Sequence, residues 1–241
     1  LIEVFAVAFL VMLLSSLCLA DNGKISTVEG EATRTPKGGA AVALAAGTSI
    51  ELGDTITVKT GNLKLELTDG SIIALAPAST LEITEAEFEG QERKGFSGLL
   101  KGGSLWTKVK KALGGGKFEV STERAVAGVR GTIFRIDADA LVKAANKGQG
   151  RRASIVRVIE GSVAVKPSAV IAKSLKKAAP KKGPRVEVAG PQEVSVDQWE
   201  KIFVTLAANQ QIAVGVDLWD QAEIEEVAKN DAFSKWIEKN Q

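Results

Sequence analysis

The stretch LKLELTDGSIIAL, residues 63–75, decides the fold class. Leucines occupy alternate positions from Leu63 to Leu67, with Lys64 and Glu66 between them. Side chains of a β-strand alternate between the two faces of a sheet, so the leucines share one face and the charged residues share the other. The pattern predicts a strand that is buried on one side only.

The dipeptide Asp69-Gly70 separates this strand from the apolar run that contains Ile73 and Leu75. Glycine accepts the positive φ that a type I′ turn requires, so the stretch predicts a hairpin with a two-residue turn. Similar turn signals recur along the chain. They separate further short apolar runs within residues 23–83, 118–136 and 153–167. This spacing predicts an all-β fold, either a sandwich, a barrel or a coil of short strands. Residues 84–102 and 138–152 are polar and carry no clear strand signal.

The residue inventory restricts the chemistry of the protein. The 241 residues include no His and one Cys, and that residue, Cys18, lies in the apolar segment that opens the sequence. Catalytic triads with His and thiolate or imidazole metal sites are excluded, whereas a pair of carboxylates or an oxygen-ligand calcium site would still be available. Neither acid cluster, at 82–89 or 223–226, has the order of a calcium loop. We therefore expect no enzymatic activity, no catalytic residue, no metal and no cofactor.

Two further signals point away from nucleotides and nucleic acids. The segment LGGGKFE, residues 113–119, lacks the spacing of a P-loop, and Phe118 stands where the motif needs Ser or Thr. The formal net charge of +2 is too small to indicate a nucleic-acid partner.

The first 20 residues have the length and the apolar core of a signal peptide, and small residues precede Asp21. We expect cleavage after Ala20, with a retained membrane anchor as the alternative. In both cases the body of the protein lies outside the cytoplasm, so a periplasmic or extracellular location is expected. A membrane contact is expected only through this segment.

The last third of the chain divides by charge. The stretch KPSAVIAKSLKKAAPKKGPR, residues 166–185, holds seven basic residues and no acid, which predicts a solvated linker or insertion over 167–185. Strand signals return in 186–216, which we expect to pack on the preceding domain. Residues 217–241 hold seven acids and three bases with apolar residues at helical spacings, which predicts an acidic, amphipathic C-terminal helix or helix pair.

The stretch AVAGVRGTIFRI, residues 125–136, sets two glycines around an arginine. In simple alternation Arg130 and Phe134 share one face, so burying Phe134 would also bury the charge of Arg130. A β-bulge at Gly128 or Gly131 would reset the register and turn Arg130 outward. We interpret the stretch as a conformational joint in a sheet.

Several of these motifs, taken together, resemble the FecR domain, the extracytoplasmic region of the ferric-citrate regulator and of many exported proteins. The matching patterns are V-E-G-E-A at 28–32, L-G-D-x-I at 52–56, D-G-S at 69–71, F-x-V-x-T at 118–122, A-V-A-G-V-R-G-T-x-F at 125–134 and V-x-E-G-x-V-x-V at 158–165. The resemblance covers about 21–166 and implies an all-β sandwich or coil without catalysis. The family-motif positions, which we interpret as structural, are Asp69, Gly70, Gly128, Arg130, Gly131, Thr132 and Phe134.

The resemblance favours an exported, non-enzymatic protein that acts through contacts with an envelope protein or polymer, including signal sensing. One alternative is the extracytoplasmic half of a truncated transmembrane anti-sigma regulator. Another is a surface carbohydrate-binding protein, which would need exposed tryptophans. The four tryptophans all stand among apolar residues at core spacing, which favours a core role.

Overall fold

The computed structural model describes residues 22–112, 115–143, 150–172, 204–215, 218–223 and 231–240. Over these residues the chain forms two β-sheets and the C-terminal helix α1, Ala232–Lys239. The predicted all-β fold is confirmed. The expected signal peptide or anchor over 1–20 lies outside the described residues.

One sheet has eight strands. In spatial order they are β1 (Gly23–Val28), β5 (Leu63–Leu67), β6 (Ile72–Leu75), β9 (Ser104–Lys108), β12 (Ile133–Lys143), β13 (Gly150–Glu160), β16 (Gln210–Gly215) and β17 (Leu218–Glu223). The other sheet has nine strands. In spatial order they are β15 (Val204–Ala207), β14 (Ser162–Pro167), β11 (Ala125–Val129), β10 (Lys117–Ser121), β8 (Glu92–Gly102), β7 (Ser79–Glu89), β4 (Thr55–Val58), β2 (Ala32–Thr35) and β3 (Val42–Ala43).

Apolar side chains of both sheets form one core. Leu65 of the eight-stranded sheet and Phe96 of the nine-stranded sheet belong to the same cluster, and both are fully buried. The alternation predicted for β5 is present, since its three leucines are buried while Glu66 is exposed. Along the sequence, successive strands belong first to one sheet and then to the other, mostly two strands at a time. Neighbouring parts of the sequence therefore lie in different sheets.

The turn between β5 and β6 differs from the predicted two-residue type I′ turn. Leu67 donates its N–H to the Ser71 carbonyl over 2.8 Å, and Gly70 donates to the Leu67 carbonyl, also over 2.8 Å. The loop therefore has three residues, with Gly70 in the left-handed conformation at φ 77°. This is the form in which a type I turn is followed by a left-handed residue.

Both segments that showed no strand signal contribute to long antiparallel strand pairs. Residues 84–102 form most of β7 and β8, and residues 138–143 extend β12, which pairs with β13. Both ladders contain register shifts, which break the simple alternation on which the sequence interpretation relied. The sequence interpretation that these residues carry no strand was therefore wrong, because it relied on an uninterrupted period-two pattern.

The basic segment is described only at its beginning. Residues 169–172 form a helical turn in which Ile171 is buried, and residues 173–185 lie outside the described residues. Of the further strands expected over 186–216, β15 and β16 are present, one in each sheet.

The C-terminal helix is shorter than the sequence indicated. Residues 218–223, expected to be helical, form β17 paired with β16, because the ladder at the sheet edge prevails over the helical spacing of the apolar residues. Helix α1 begins after Asp231, whose carboxylate accepts the Ser234 N–H at 2.8 Å as an N-cap. None of the helices in the described residues has the length and apolar character needed to cross a membrane.

Helix α1 covers the outer face of the eight-stranded sheet. Its buried residues Phe233 and Ile237 pack with Ala74, Ala76 and Trp106 in a second apolar cluster, apart from the main core. This packing explains the amphipathic character of the C-terminal residues, since one stripe of the helix faces the sheet and the other faces solvent.

Candidate binding cleft

A cleft of about 530 Å³ opens at one end of the two sheets. Three segments line it: the tip of the β7–β8 hairpin with Glu89 and residues 91–93, Asp69 of the β5–β6 turn, and residues 110–112, which follow β9. We call these the acidic wall, the base and the basic wall, respectively. The walls are far apart in sequence and are brought together by the crossing of the chain between the sheets.

The buried side chain of Arg93 holds the three segments together. Its guanidinium forms an ion pair with the Asp69 carboxylate, and Nη1 donates to the Ser71 hydroxyl at 3.0 Å. Nη2 donates to the backbone carbonyl of Lys110 at 3.1 Å. The guanidinium carbon lies 5.2 Å from the centre of the Phe118 ring, within the range of a cation–π contact. One side chain of the acidic wall thus contacts both the base and the basic wall.

Burial is the dominant electrostatic effect on this arginine. Removal from water lowers the pKa of the Arg93 guanidinium, and the negative charge of Asp69 opposes that shift. Within the described part of the chain, Nε of Arg93 is buried without a hydrogen-bond partner. A buried guanidinium is costly unless paired, so the position of Asp69 is essential to this arrangement.

Ser71 completes the base. Its hydroxyl donates to Asp69 at 2.8 Å and accepts the backbone N–H of Lys110 at 2.9 Å, while its own N–H donates to Asp69 at 2.9 Å. Both oxygens of Asp69 thus accept donors, Oδ1 from the Ser71 N–H and Oδ2 from the Ser71 hydroxyl and Arg93. These contacts make Asp69 a structural anion and fix the β5–β6 turn against the basic wall.

The lysines of the basic wall form no ion pairs with the carboxylates of the acidic wall. Glu89 and Glu92 of the acidic wall both contact Lys94, at 3.1 and 3.0 Å, and these hydrogen bonds, first that to Glu92, raise the pKa of Lys94. Lys110 and Lys111 of the basic wall are exposed, and their ammonium groups form no ion pair with any residue that the structure describes. The cleft therefore presents carboxylates on one side and free ammonium groups on the other.

The family motif supports the basic wall from behind. Gly131 is left-handed, at φ 64°, in the turn that carries the chain from β11 of the nine-stranded sheet to β12 of the eight-stranded sheet. A Cβ on Gly131 would lie 3.1 Å from Cβ of Lys111. The carbonyl of Thr132 accepts the N–H of Val109 at 2.9 Å, and the Thr132 hydroxyl donates to Ser162 at 2.8 Å.

The expected bulge at Gly128 or Gly131 is not what resets the register. Gly128 lies in a regular ladder between β10 and β14, and the change occurs at the Gly131 turn, where the chain passes between sheets. The outcome for the side chains is as expected, because Arg130 is exposed and Phe134 is fully buried.

Sequence reasoning singled out three motif residues that meet around the basic wall: Asp69, Gly70 and Gly131. Gly70 is close to the side chain of Lys110, whose Nζ lies 2.9 Å from where a Cβ would be. Sequence reasoning missed Arg93, Lys110 and Lys111 themselves. The run KVKK at 108–111 was the only available signal for the two lysines, and nothing in the surrounding letters marks Arg93 as buried.

Other candidate chemistry finds no support in the geometry. Trp106 is 5% exposed, whereas Trp236, a residue of α1, is half-buried and packs against the same apolar cluster. Trp199 and the side chain of Trp219 lie outside what the structure describes. No group of three or more potential metal ligands occurs among the described residues.

The fold is a two-sheet β domain, and several of its sequence-motif residues lie next to the charged cleft. Residues 54–164 match the family described as FecR protein, which confirms the resemblance in the sequence. The matched segment contains the base and both walls of the cleft.

Two crystal structures of a "putative anti-sigma factor" from Parabacteroides distasonis ATCC 8503 are similar to the chain. The first is 18% identical with a TM-score of 0.46, and the match covers 76% of this chain and 64% of that one. The second has the same identity, TM-score and coverage of this chain, and 63% of its own length is covered. This chain thus spans less than two thirds of the solved structures it matches. No curated protein matches the sequence.

Proposed function

We propose that the protein is an exported, non-enzymatic FecR-domain protein that regulates a cellular response through contacts with another component of the cell envelope. The observation that carries the proposal is the position of the cleft, since Asp69, Arg93, Lys110 and Lys111 all fall inside the FecR match of 54–164. A regulator needs a surface that recognises a partner, and this cleft has a rigid base and charged rims.

The chemistry of the cleft favours binding over catalysis. A general acid or base must exchange a proton with a substrate, but both oxygens of Asp69 accept hydrogen bonds from Arg93 and Ser71. Glu89 and Glu92 share the ammonium group of Lys94. These carboxylates are arranged as ion-pair partners of Arg93 and Lys94.

The carbohydrate-binding alternative has less support. A sugar platform requires exposed aromatic faces. Trp106 is instead buried beneath α1, and Trp236 of α1 packs against the same cluster. The alternative of a truncated transmembrane regulator differs from the proposal in the N-terminal segment, which lies outside the described residues.

Deletion of the gene in its native host tests the regulatory role. Regulation predicts that a discrete set of transcripts changes on deletion and returns when the full chain is supplied on a plasmid. An unchanged transcript profile under conditions where the protein is produced would contradict the proposal.

Export is tested separately with a fusion of residues 1–30 to alkaline phosphatase, an enzyme that requires disulfides and is active only outside the cytoplasm. We expect high phosphatase activity. A matched fusion that begins at residue 21 serves as the control, and equal activity of both fusions would argue against export through the N-terminal segment.

A further inference from the structure

We propose that the cleft binds a short peptide segment carrying one acidic and one basic side chain, the acidic group on Lys110 and Lys111 and the basic group on the Glu89 and Glu92 side. This inference rests on the proposed function in that it names the chemistry of the partner. The feature that carries it is the presence of facing charges of opposite sign in one cleft, on walls that form no ion pair with each other through Lys110 or Lys111.

The base contributes orientation and not net charge. The ion pair between Asp69 and Arg93 is internally neutral, and the Arg93 side chain is 0% exposed. A ligand therefore meets its charged contacts at the rims. The Lys110 N–H donates to the Ser71 hydroxyl and the Lys110 carbonyl accepts from Arg93, so the base and the basic wall are joined before a ligand arrives.

The opposite charges of the two walls favour a ligand that carries both an acidic and a basic group. A purely anionic ligand attracted by Lys110 and Lys111 would meet the opposite wall, where Glu89 and Glu92 share the single ammonium group of Lys94 and keep a net negative charge that repels it. A purely cationic ligand would meet the two lysines. A segment with both charges in the correct order satisfies each wall, and the repulsive contacts exclude the others, which gives specificity.

The size of the cleft agrees with a short segment. Its volume of about 530 Å³ lies within the range of roughly 300–1,000 Å³ that is typical of sites for small ligands. Gln91, which also lines the acidic wall, offers an amide that can donate to or accept from a peptide backbone.

Binding of four short, terminally blocked peptides to the full chain tests the proposal by calorimetry at low salt. One peptide has Lys before Glu, one has Glu before Lys, and two carry a single type of charge. We expect one of the two mixed peptides to bind at least roughly tenfold more tightly than either single-charge peptide, and its affinity to fall as salt rises from about 0.01 to about 0.15 M.

Charge-swapped variants assign the binding to the cleft. Lys110→Glu combined with Lys111→Glu should weaken the preferred mixed peptide by roughly tenfold. Adding Glu89→Lys and Glu92→Lys should restore binding with preference for the reversed order of charges. Lys37→Glu, which makes the same kind of charge change at an exposed site outside the cleft, should leave affinity unchanged.

Equal binding of single-charge and mixed peptides, or the absence of binding to all four, would overturn the inference. So would an unchanged order preference in the fully swapped variant, provided that its circular dichroism spectrum matches that of the wild type. The peptide experiments test the ligand, and the transcript profile of the deletion strain tests the regulatory role. Either proposal can therefore fail without the other.

Discussion

The guanidinium of Arg93 and the carboxylate of Asp69 form a buried ion pair between a hairpin of the nine-stranded sheet and a turn of the eight-stranded sheet. The Arg93 side chain is 0% exposed and that of Asp69 is 7% exposed. The pair fixes the relative position of the cleft walls, which makes it the structural centre of the proposed binding site.

Removal of the acid from this pair should destabilise the fold strongly. In Asp69→Ala the guanidinium of Arg93 would stay buried without its counter-charge, and breaking one side of a buried pair costs about 3–5 kcal/mol. Urea denaturation of the variant and the wild type measures the free energy of unfolding. A loss below about 1 kcal/mol would show that the pair is not a structural anchor.

The double variant Asp69→Ala with Arg93→Met provides the control. Without a buried charge to compensate, its loss of stability should be smaller than that of Asp69→Ala alone. An equal or greater loss would indicate that the hydrogen bonds from Arg93 to Ser71 and to the Lys110 carbonyl, and not the charge pair, dominate.

The two glycines of the family motif should respond differently to substitution. Gly131→Val places a β-branched residue at φ 64° with Cβ 3.1 Å from Lys111, and should cost about 1–3 kcal/mol. Gly128→Ala should be neutral or stabilise by up to about 1 kcal/mol, because its Cβ would meet only the Ala164 carbonyl oxygen at 3.9 Å. Thermal unfolding of both variants checks the contrast, and equal melting temperatures would contradict it.

Docking of helix α1 should depend on pH through Asp231. Burial tends to raise the pKa of Asp231, but hydrogen bonds from the Ser234 N–H and from Arg135, with the charge of Arg135, lower it below the ordinary value of 3.8. A carboxyl whose pKa is depressed in the folded state stabilises that state fully above about pH 5 and loses its effect as the pH falls through the lowered pKa. We expect the amide signals of residues 232–239 in NMR spectra to move toward random-coil values only in acid, below pH 3.8.

The variant Asp231→Asn isolates this effect. Asparagine is also a good N-cap, so the helix keeps its first hydrogen bond while the ion pair with Arg135 is lost. Its helix signals should show no transition in the same pH range. A transition that persists in the variant would assign the acid response to another carboxyl.

The sequence was a good guide where its local patterns coincide with burial. In β5 the period-two leucines are the buried residues, and the motif around Gly131 did mark a conformational joint. Gly70 and Gly161, both within the motifs that carry the FecR resemblance, are left-handed turn glycines.

Long-range contacts account for what the sequence did not show. Arg93 is buried because Asp69, distant in sequence, supplies the counter-charge, and no local pattern encodes that meeting. The helix expected from residue 217 was wrong over 218–223, because pairing with β16 outweighs local spacing. The charged cleft itself arises only when the chain has passed between the two sheets.

The central claim, that this FecR domain regulates through its charged cleft, is tested most directly by transcript profiling of the native host with Lys110→Glu and Lys111→Glu introduced on the chromosome. Protein levels and a Lys37→Glu strain serve as controls. We expect the cleft variant, present at the wild-type level, to change the same transcripts as deletion of the gene, while Lys37→Glu changes none. A wild-type transcript profile in the cleft variant, alongside an altered profile in the deletion strain, would contradict the claim.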